Sequence, residues 1–394
     1  MPRLAAAHGR AISAGGLRPN AAALDSRALT RELGRSSTLT ELLSLEQRYG
    51  DRFDHFHRGA FWSKFKKLPR GELGGLRDRL APVCELTVRM LPTLSAREVA
   101  NLCHAFAGLV SLSGPWESVR RALPGVALRL LVDFDPQHLA NTAWAFAKVG
   151  HASAKLFNAI SAEVVRRGLG GFNLQALSNT AWAFATAYHE APELFKAFTV
   201  EALRRGLGGF TALQLSNMAW AFAVFDPPSA NALFSTTCFS TRCASLETSF
   251  SLEQLTQLHQ WSLWRKERRA PWPGLHESLR QACRNACFEE DGQPSRTQSE
   301  VVREIRSRGF DVDEEQRCQI SGYSLDALVV LNDGDRIAVE VDGPSHFIGR
   351  SHTPTGATQL KHRQLRHFGW RLESVPYWEW DHSNALPWLP RSSR

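Results

Sequence analysis

The stretch Ala140-Asn-Thr-Ala-Trp-Ala-Phe-Ala147 decides the fold, because it returns without gaps along the chain. The copies are Ser178-Asn-Thr-Ala-Trp-Ala-Phe-Ala185, Ser216-Asn-Met-Ala-Trp-Ala-Phe-Ala223 and, more loosely, Ala100-Asn-Leu-Cys-His-Ala-Phe-Ala107. The asparagines stand at 101, 141, 179 and 217, so the spacings are 40, 38 and 38 residues. A degenerate fifth copy lies around Leu255-Thr-Gln-Leu-His-Gln-Trp261. A fixed period of this size is the signature of stacked two-element units.

A second block keeps the same register. Glu163-Val-Val-Arg-Arg-Gly-Leu-Gly-Gly-Phe172 matches Glu201-Ala-Leu-Arg-Arg-Gly-Leu-Gly-Gly-Phe210 at an offset of 38 residues. Each unit reads as two helices, the first over about 136–149, 174–187 and 212–224, the second over about 154–167 and 192–205. The Gly after each Arg-Arg pair is a stop signal, and cations in the last turn suit the helix dipole. The first helix is apolar nearly all round, which predicts a helix sandwiched between layers. On this reading Trp144, Trp182 and Trp220 fill the core, and Asn141, Asn179 and Asn217 form a buried amide ladder. The uncharged stretches 168–189 and 206–225 are long enough for a membrane helix. Their Gly-Leu-Gly-Gly openings and their place in the repeat make them loop plus helix, so no membrane span is expected.

Charge is unevenly placed. The 394 residues carry a net charge of +8, yet residues 300–394 hold 12 basic and 14 acidic side chains. The preceding 299 residues hold 35 and 25, so the basic excess belongs to the N-terminal three quarters of the chain. An anionic partner, single-stranded RNA above all, fits that distribution. Arg166, Arg167, Arg204 and Arg205 recur once per repeat and would form a stripe along a phosphate backbone, with Lys148 beside them. A protein-interaction scaffold is the rival for a helical array, and the basic excess argues against it. The seven cysteines are odd in number and contain no Cys-x-x-Cys, which excludes a disulfide scaffold and an ordinary zinc finger. Residues 1–24 hold Arg3, Arg10 and Arg18, eight alanines and no acid, the composition of an organellar transit peptide.

The repeat core resembles the octotricopeptide-type repeats of organellar RNA-binding proteins and is similar to the helical repeats of the FAST kinase-like family. The resemblance implies an organellar protein, of mitochondrion or chloroplast, that binds transcripts and works within ribonucleoprotein complexes on their processing, stability or translation. Binding of this kind requires no cofactor.

The last hundred residues follow a different grammar. A helix is expected over Ser299–Arg308, a strand over Leu325–Leu331, a hairpin turn at Asn332-Asp-Gly-Asp335 and a strand over Arg336–Asp342. A helix near 356–368 and a strand over Arg371–Val375 complete the pattern. The chain thus divides into a leader at 1–35, an α-helical repeat solenoid at 36–265, a connector at 266–296 with a helix over about 275–288, and a small α/β domain at 297–394. Three blocks, Ile337-Ala-Val-Glu-Val-Asp-Gly-Pro-Ser-His-Phe347, Leu360-Lys-His-Arg-Gln-Leu-Arg-His-Phe-Gly-Trp370 and Val375-Pro-Tyr-Trp-Glu-Trp380, resemble a RAP domain. That family is associated with RNA binding, and its pattern is similar to the PD-(D/E)xK nuclease core.

The nuclease resemblance implies a role for particular residues. Asp326 and Glu340 fit the two acids that would hold Mg²⁺ or Mn²⁺, with Asp342 beside them. The lysine of that core stands two positions after the second acid, and here the position is Asp342. Lys361 on the following helix would have to replace it, with His346 as a proton shuttle. A metal-dependent endoribonuclease is therefore the rival to an RNA-binding relic. Tyr377 and Trp378 offer further planar faces for unpaired bases.

Overall fold

The computed structural model describes residues 25–389 apart from 70–72, 110–113, 151–152, 290–293, 332, 350 and 384–385. The transit-peptide stretch 1–24 lies outside the described residues, as does Asn332 of the expected hairpin turn.

Helices come first, in two rows. One row contains α1 (Ser26–Arg35), α3 (His55–Phe65), α5 (Ala96–Phe106), α7 (Pro136–Lys148), α9 (Leu174–Thr186), α11 (Ala212–Phe225) and α14 (Leu252–Glu267), each packed on the next. The other contains α2 (Leu39–Tyr49), α4 (Arg77–Met90), α6 (Glu117–Arg129), α8 (Ala154–Arg167), α10 (Pro192–Arg205) and α12 (Ala230–Phe234). A short α13 (Cys238–Ser245) follows α12. One continuous core runs through both rows, built on repeated positions such as Leu139, Leu177 and Leu215, and Phe146, Phe184 and Phe222. Helix starts are set by side-chain caps, for example Asn173 accepting from the Ala176 amide at 2.7 Å. Gly168 and Gly206 end α8 and α10 with φ of 72° and 68°, values that a side chain disfavours.

One boundary differs from the sequence reading. Residues 26–35 are not leader: Leu29 and Leu33 are buried one turn apart, and the Ser26 carbonyl lies 3.0 Å from Nε2 of His57. The connector at 266–296 carries its expected helix as α15 (Glu277–Glu289), which buries Leu279, Cys283 and Cys287 and packs on α14.

The C-terminal unit is a four-stranded mixed sheet of order β1-β2-β3-β4. The strands are β1 (Asp311–Arg317), β2 (Ser324–Val330), β3 (Arg336–Asp342) and β4 (Arg371–Pro376). The first three run antiparallel, and β4 joins β3 in parallel after the crossover helix α17 (Gly356–His367). Helices α16 (Arg296–Ser307) and α18 (Tyr377–Ser383) cover one face, over Ile337, Val339 and Val341. Ala338 turns to the other face, under Leu365 of α17 and Leu263 of α14.

The sheet unit is seated on the helical rows. Arg363 of α17 donates to the Val224 carbonyl at 2.8 Å and to that of Ala223, at the end of α11, and pairs with Glu267 at 2.8 Å. That end carries the negative pole of the helix dipole, so the cation is well placed. Nε2 of His259 lies 2.7 Å from the Ser321 carbonyl, and Gln364 donates to the Gln260 carbonyl at 2.9 Å. Gly356 approaches the end of α9 so closely that a Cβ would meet the Ala185 carbonyl oxygen at 1.9 Å. No helix among the described residues is long and apolar enough to cross a membrane.

Candidate nucleic-acid interface

The inner row has an uncovered stripe. In α7 the buried positions are Leu139, Ala140, Thr142, Ala143, Ala145, Phe146 and Ala147, whereas Gln137, Asn141, Trp144 and Lys148 are exposed or half-buried. Positions four, seven and eleven apart share a helix face, so these four form one strip. In α9 the strip is Gln175, Asn179, Trp182 and Thr186, and in α5 it is Arg97, Asn101 and His104. This corrects the reading of the inner helix as buried on all sides. Of the three repeat tryptophans, Trp220 is in the core at 5% exposure, while Trp144 and Trp182 are half-buried. The amide ladder is also partial: Asn217 is buried and accepts from Gln257 at 3.2 Å, while Asn141 and Asn179 are half-exposed.

The rings along the strip form a ladder. His104 stacks on Trp144 at 5.0 Å between centroids, Trp144 meets Trp182 at 6.5 Å, and Trp182 meets Trp220 at 6.4 Å. Lys148 places its ammonium 5.5 Å from the Trp144 centroid, a cation–π contact. Lys66 continues the strip, with Nζ 3.5 Å from Nδ1 of His104. Burial and the neighbouring Lys66 both lower the His104 pKa, so this ring is neutral at pH 7. The ladder was concealed in the sequence by the apolar surroundings of each Trp. Its one outward sign is His104 standing at the Trp position of the first repeat.

The four repeat arginines separate into two kinds. Arg167 and Arg205 are mostly buried and turn back on the preceding unit. Arg167 donates to the carbonyls of Val132 at 2.8 Å and Leu131 at 3.2 Å, and Arg205 to those of Leu169 at 3.0 Å and Gly170 at 3.1 Å. Arg129 does the same to Pro92 at 3.2 Å and Arg242 to Phe210 at 2.9 Å. These side chains therefore bolt one unit to the next, a role the sequence reading missed at 129 and 242. Arg166 and Arg204 are the exposed members, yet they lie in bidentate contact with Glu163 and Glu201. Those contacts hold both glutamates down at about 2 against the cost of burial. Arg205→Ala should lower stability by about 2 kcal/mol, since it strips partners from two carbonyls and Glu201. Arg204→Ala, which leaves Arg205 on Glu201, should lower the melting temperature less than Arg205→Ala does. Thermal denaturation of both variants checks the contrast.

The C-terminal acids form a second cluster. Positions 338, 340 and 342 alternate onto the α17 face of β3. Glu340 is 1% exposed and its Oε2 receives Nζ of Lys361 at 2.5 Å; Oε1 has no partner. The side chain of Lys361 is 24% exposed, so one edge of the pair reaches the surface. Asp326 accepts from the Val341 amide at 2.7 Å. Asp342 accepts from Ser374 at 2.5 Å and lies 2.7 Å from Nδ1 of His346 and 3.5 Å from Nε2 of His362. Burial pushes Glu340 up to about 8 against the pull of Lys361, and raises Asp326. Burial would raise Asp342 too, but its bonds from His346 and Ser374 hold it below the ordinary value. For Lys361 the neighbouring acids outweigh burial, so it stays positively charged. Burial drops His362 to about 4, so it is neutral at pH 7.

Asp326, Glu340, Asp342, Lys361 and His346 thus lie close enough to shift one another's charge. Each acid of the expected Mg²⁺ or Mn²⁺ trio has a protein partner. Lys361 occupies Glu340, and Asp342 is turned to His346 and Ser374. Among the described residues no three acid, His or Cys side chains are arranged to hold a metal ion. Tyr377 and Trp378 begin α18. Trp378 is stacked on His352 at 4.1 Å and meets Phe347 at 4.2 Å, so its ring is engaged within the domain.

Comparison with known proteins places this geometry. The chain is similar to a RAP domain-containing protein, chloroplastic, of Oryza sativa subsp. japonica, with 36% identity over 107 residues. The match covers 27% of this chain and 16% of that protein, so the chain spans about a sixth of the relative's length. The RAP domain family model matches residues 339–385, which contain most of β3 together with α17, β4 and α18. The network of Glu340, Asp342 and Lys361 therefore lies inside a RAP domain carried by this chain.

Proposed function

We propose that this protein binds single-stranded RNA along the inner row and acts in organellar RNA metabolism. The observation that carries the reading is the half-exposed ladder from Lys66 through His104, Trp144 and Trp182, with Lys148 over one ring. Aromatic faces set among amides and cations suit unpaired bases of any sequence, which stack on rings while cations follow the phosphates. The two helical rows act as a repeat solenoid of the octotricopeptide or FAST kinase-like kind, and their bolted units hold the ladder at fixed spacing. The RAP domain, with its nuclease-like arrangement of acids, acts as a binding and capping module. A chloroplastic relative and the acid-free leader support an organellar site of action.

The reading predicts that the full chain prefers single-stranded RNA to duplex of the same length. Affinity should fall with salt, each neutralised phosphate adding about 0.7 to the log–log slope. Fluorescence anisotropy across a salt series measures both. Equal binding of duplex, or affinity independent of salt, would refute the reading.

A further inference from the structure

The ladder ends at a cleft of about 610 Å³ between the inner row and the RAP domain. Trp182, Thr186, Trp220 and Gln257 form the helical wall; Thr355 and Ala357, at the start of α17, face them. Two polar atoms on the helical wall are buried without partners. Gln257 is 7% exposed, its Nε2 is spent on Asn217, and its Oε1 receives nothing. Oγ1 of Thr186 is likewise unpaired. Native folds seldom leave a buried acceptor unsatisfied, and here two such atoms belong to residues that line the cleft beside the tryptophans.

We infer that this cleft reads one unpaired base of the bound RNA, with the RAP domain as its far wall. A base offers a flat face to Trp182 and an edge on which an N–H stands next to an acceptor. That edge matches the carbonyl of Gln257 and the hydroxyl of Thr186. The N-terminus of α17 borders the cleft and directs the positive end of its dipole to the phosphate that flanks the base. Glu253 is the negative group on the rim and leaves the phosphate the α17 side. A base held here is selected by hydrogen bonds, whereas the ladder upstream tolerates any sequence. The two domains then form one binding site, which explains why the RAP domain is seated on α9, α11 and α14 rather than tethered to them.

The inference rests on the RNA-binding reading, and the test separates the two. The full chain is titrated with oligo(A), oligo(C), oligo(G) and oligo(U) of equal length, and with free nucleoside monophosphates as competitors. The wild type should rank the homopolymers over about tenfold in affinity. Gln257→Leu and Thr186→Val should each compress that ranking while leaving the salt slope in place; Gln257→Leu also strands Oδ1 of Asn217 and melts lower, whereas Thr186→Val keeps the melting temperature. Ala357→Phe, at an exposed position on the RAP wall, should weaken the preferred oligonucleotide alone. Equal binding of all homopolymers by the wild type, or an unchanged ranking in both helical-wall variants, would overturn the base-reading cleft and leave general RNA binding standing. Competition by a monophosphate as strong as by the oligonucleotide would assign the cleft to a free nucleotide and overturn the RNA assignment. Failure to bind any oligonucleotide would remove both readings.

Discussion

Lys361→Met is expected to destabilise the protein by about 2–3 kcal/mol at pH 7, the loss of a buried charge-assisted hydrogen bond. The defect should grow with pH. In the wild type Glu340 titrates at about 8 in the folded chain against the ordinary 4.5. Between those values the folded chain keeps a proton that the unfolded chain has released, so stability falls as pH rises. Above about 8 the wild type levels off, because Lys361 lets Glu340 ionise in place. Without that ammonium the carboxyl stays protonated to higher pH, and the variant keeps losing about 1.4 kcal/mol per pH unit where the wild type does not. Glu340→Gln removes the titration and should flatten the same curve. Denaturant melts of the three proteins from pH 5 to about 9.5 measure this. A gap between Lys361→Met and wild type that is constant with pH would show that Glu340 does not depend on Lys361.

Trp144→Leu is expected to weaken RNA binding about 5- to 150-fold, which corresponds to about 1–3 kcal/mol for one stacked base. Leucine keeps the apolar body against the inner row but removes the ring on which His104 and Lys148 converge. Trp220→Leu should behave differently, since Trp220 is buried and its truncation acts chiefly on the fold. Affinity and melting temperature measured together distinguish the two positions. If Trp144→Leu melts lower and binds as before, the ladder is packing and not a binding face.

The period of the helical region was legible because every unit must present the same Leu, Ala and Phe positions to its neighbours. Asn141 and Trp144 recur with them, so the recurrence alone placed these side chains in the core. Which side of α7 lacks a covering layer depends on how the rows stack, and that is not written in one helix. The arginine pairs misled for a related reason. Arg166 and Arg167 are adjacent in sequence, yet a turn of about 100° per residue sends one to solvent and the other to the carbonyls of the preceding unit. In the C-terminal unit, β2, β3 and β4 were visible as apolar runs. β1 was not, because Asp311–Arg317 is an edge strand with four acids and only one apolar side chain. The grouping of Asp326, Glu340 and Lys361 was readable, whereas the ion pair that fills it needed the crossover helix in place.

Ultraviolet crosslinking of the full chain to single-stranded RNA, followed by peptide mapping, tests the central claim most directly. The account predicts adducts on the inner row, at Lys148 and the rings of Trp144 and Trp182, with a further adduct at the cleft before α17. Adducts confined to α8 and α10, around Arg166 and Arg204, would contradict it and move the RNA to the outer row.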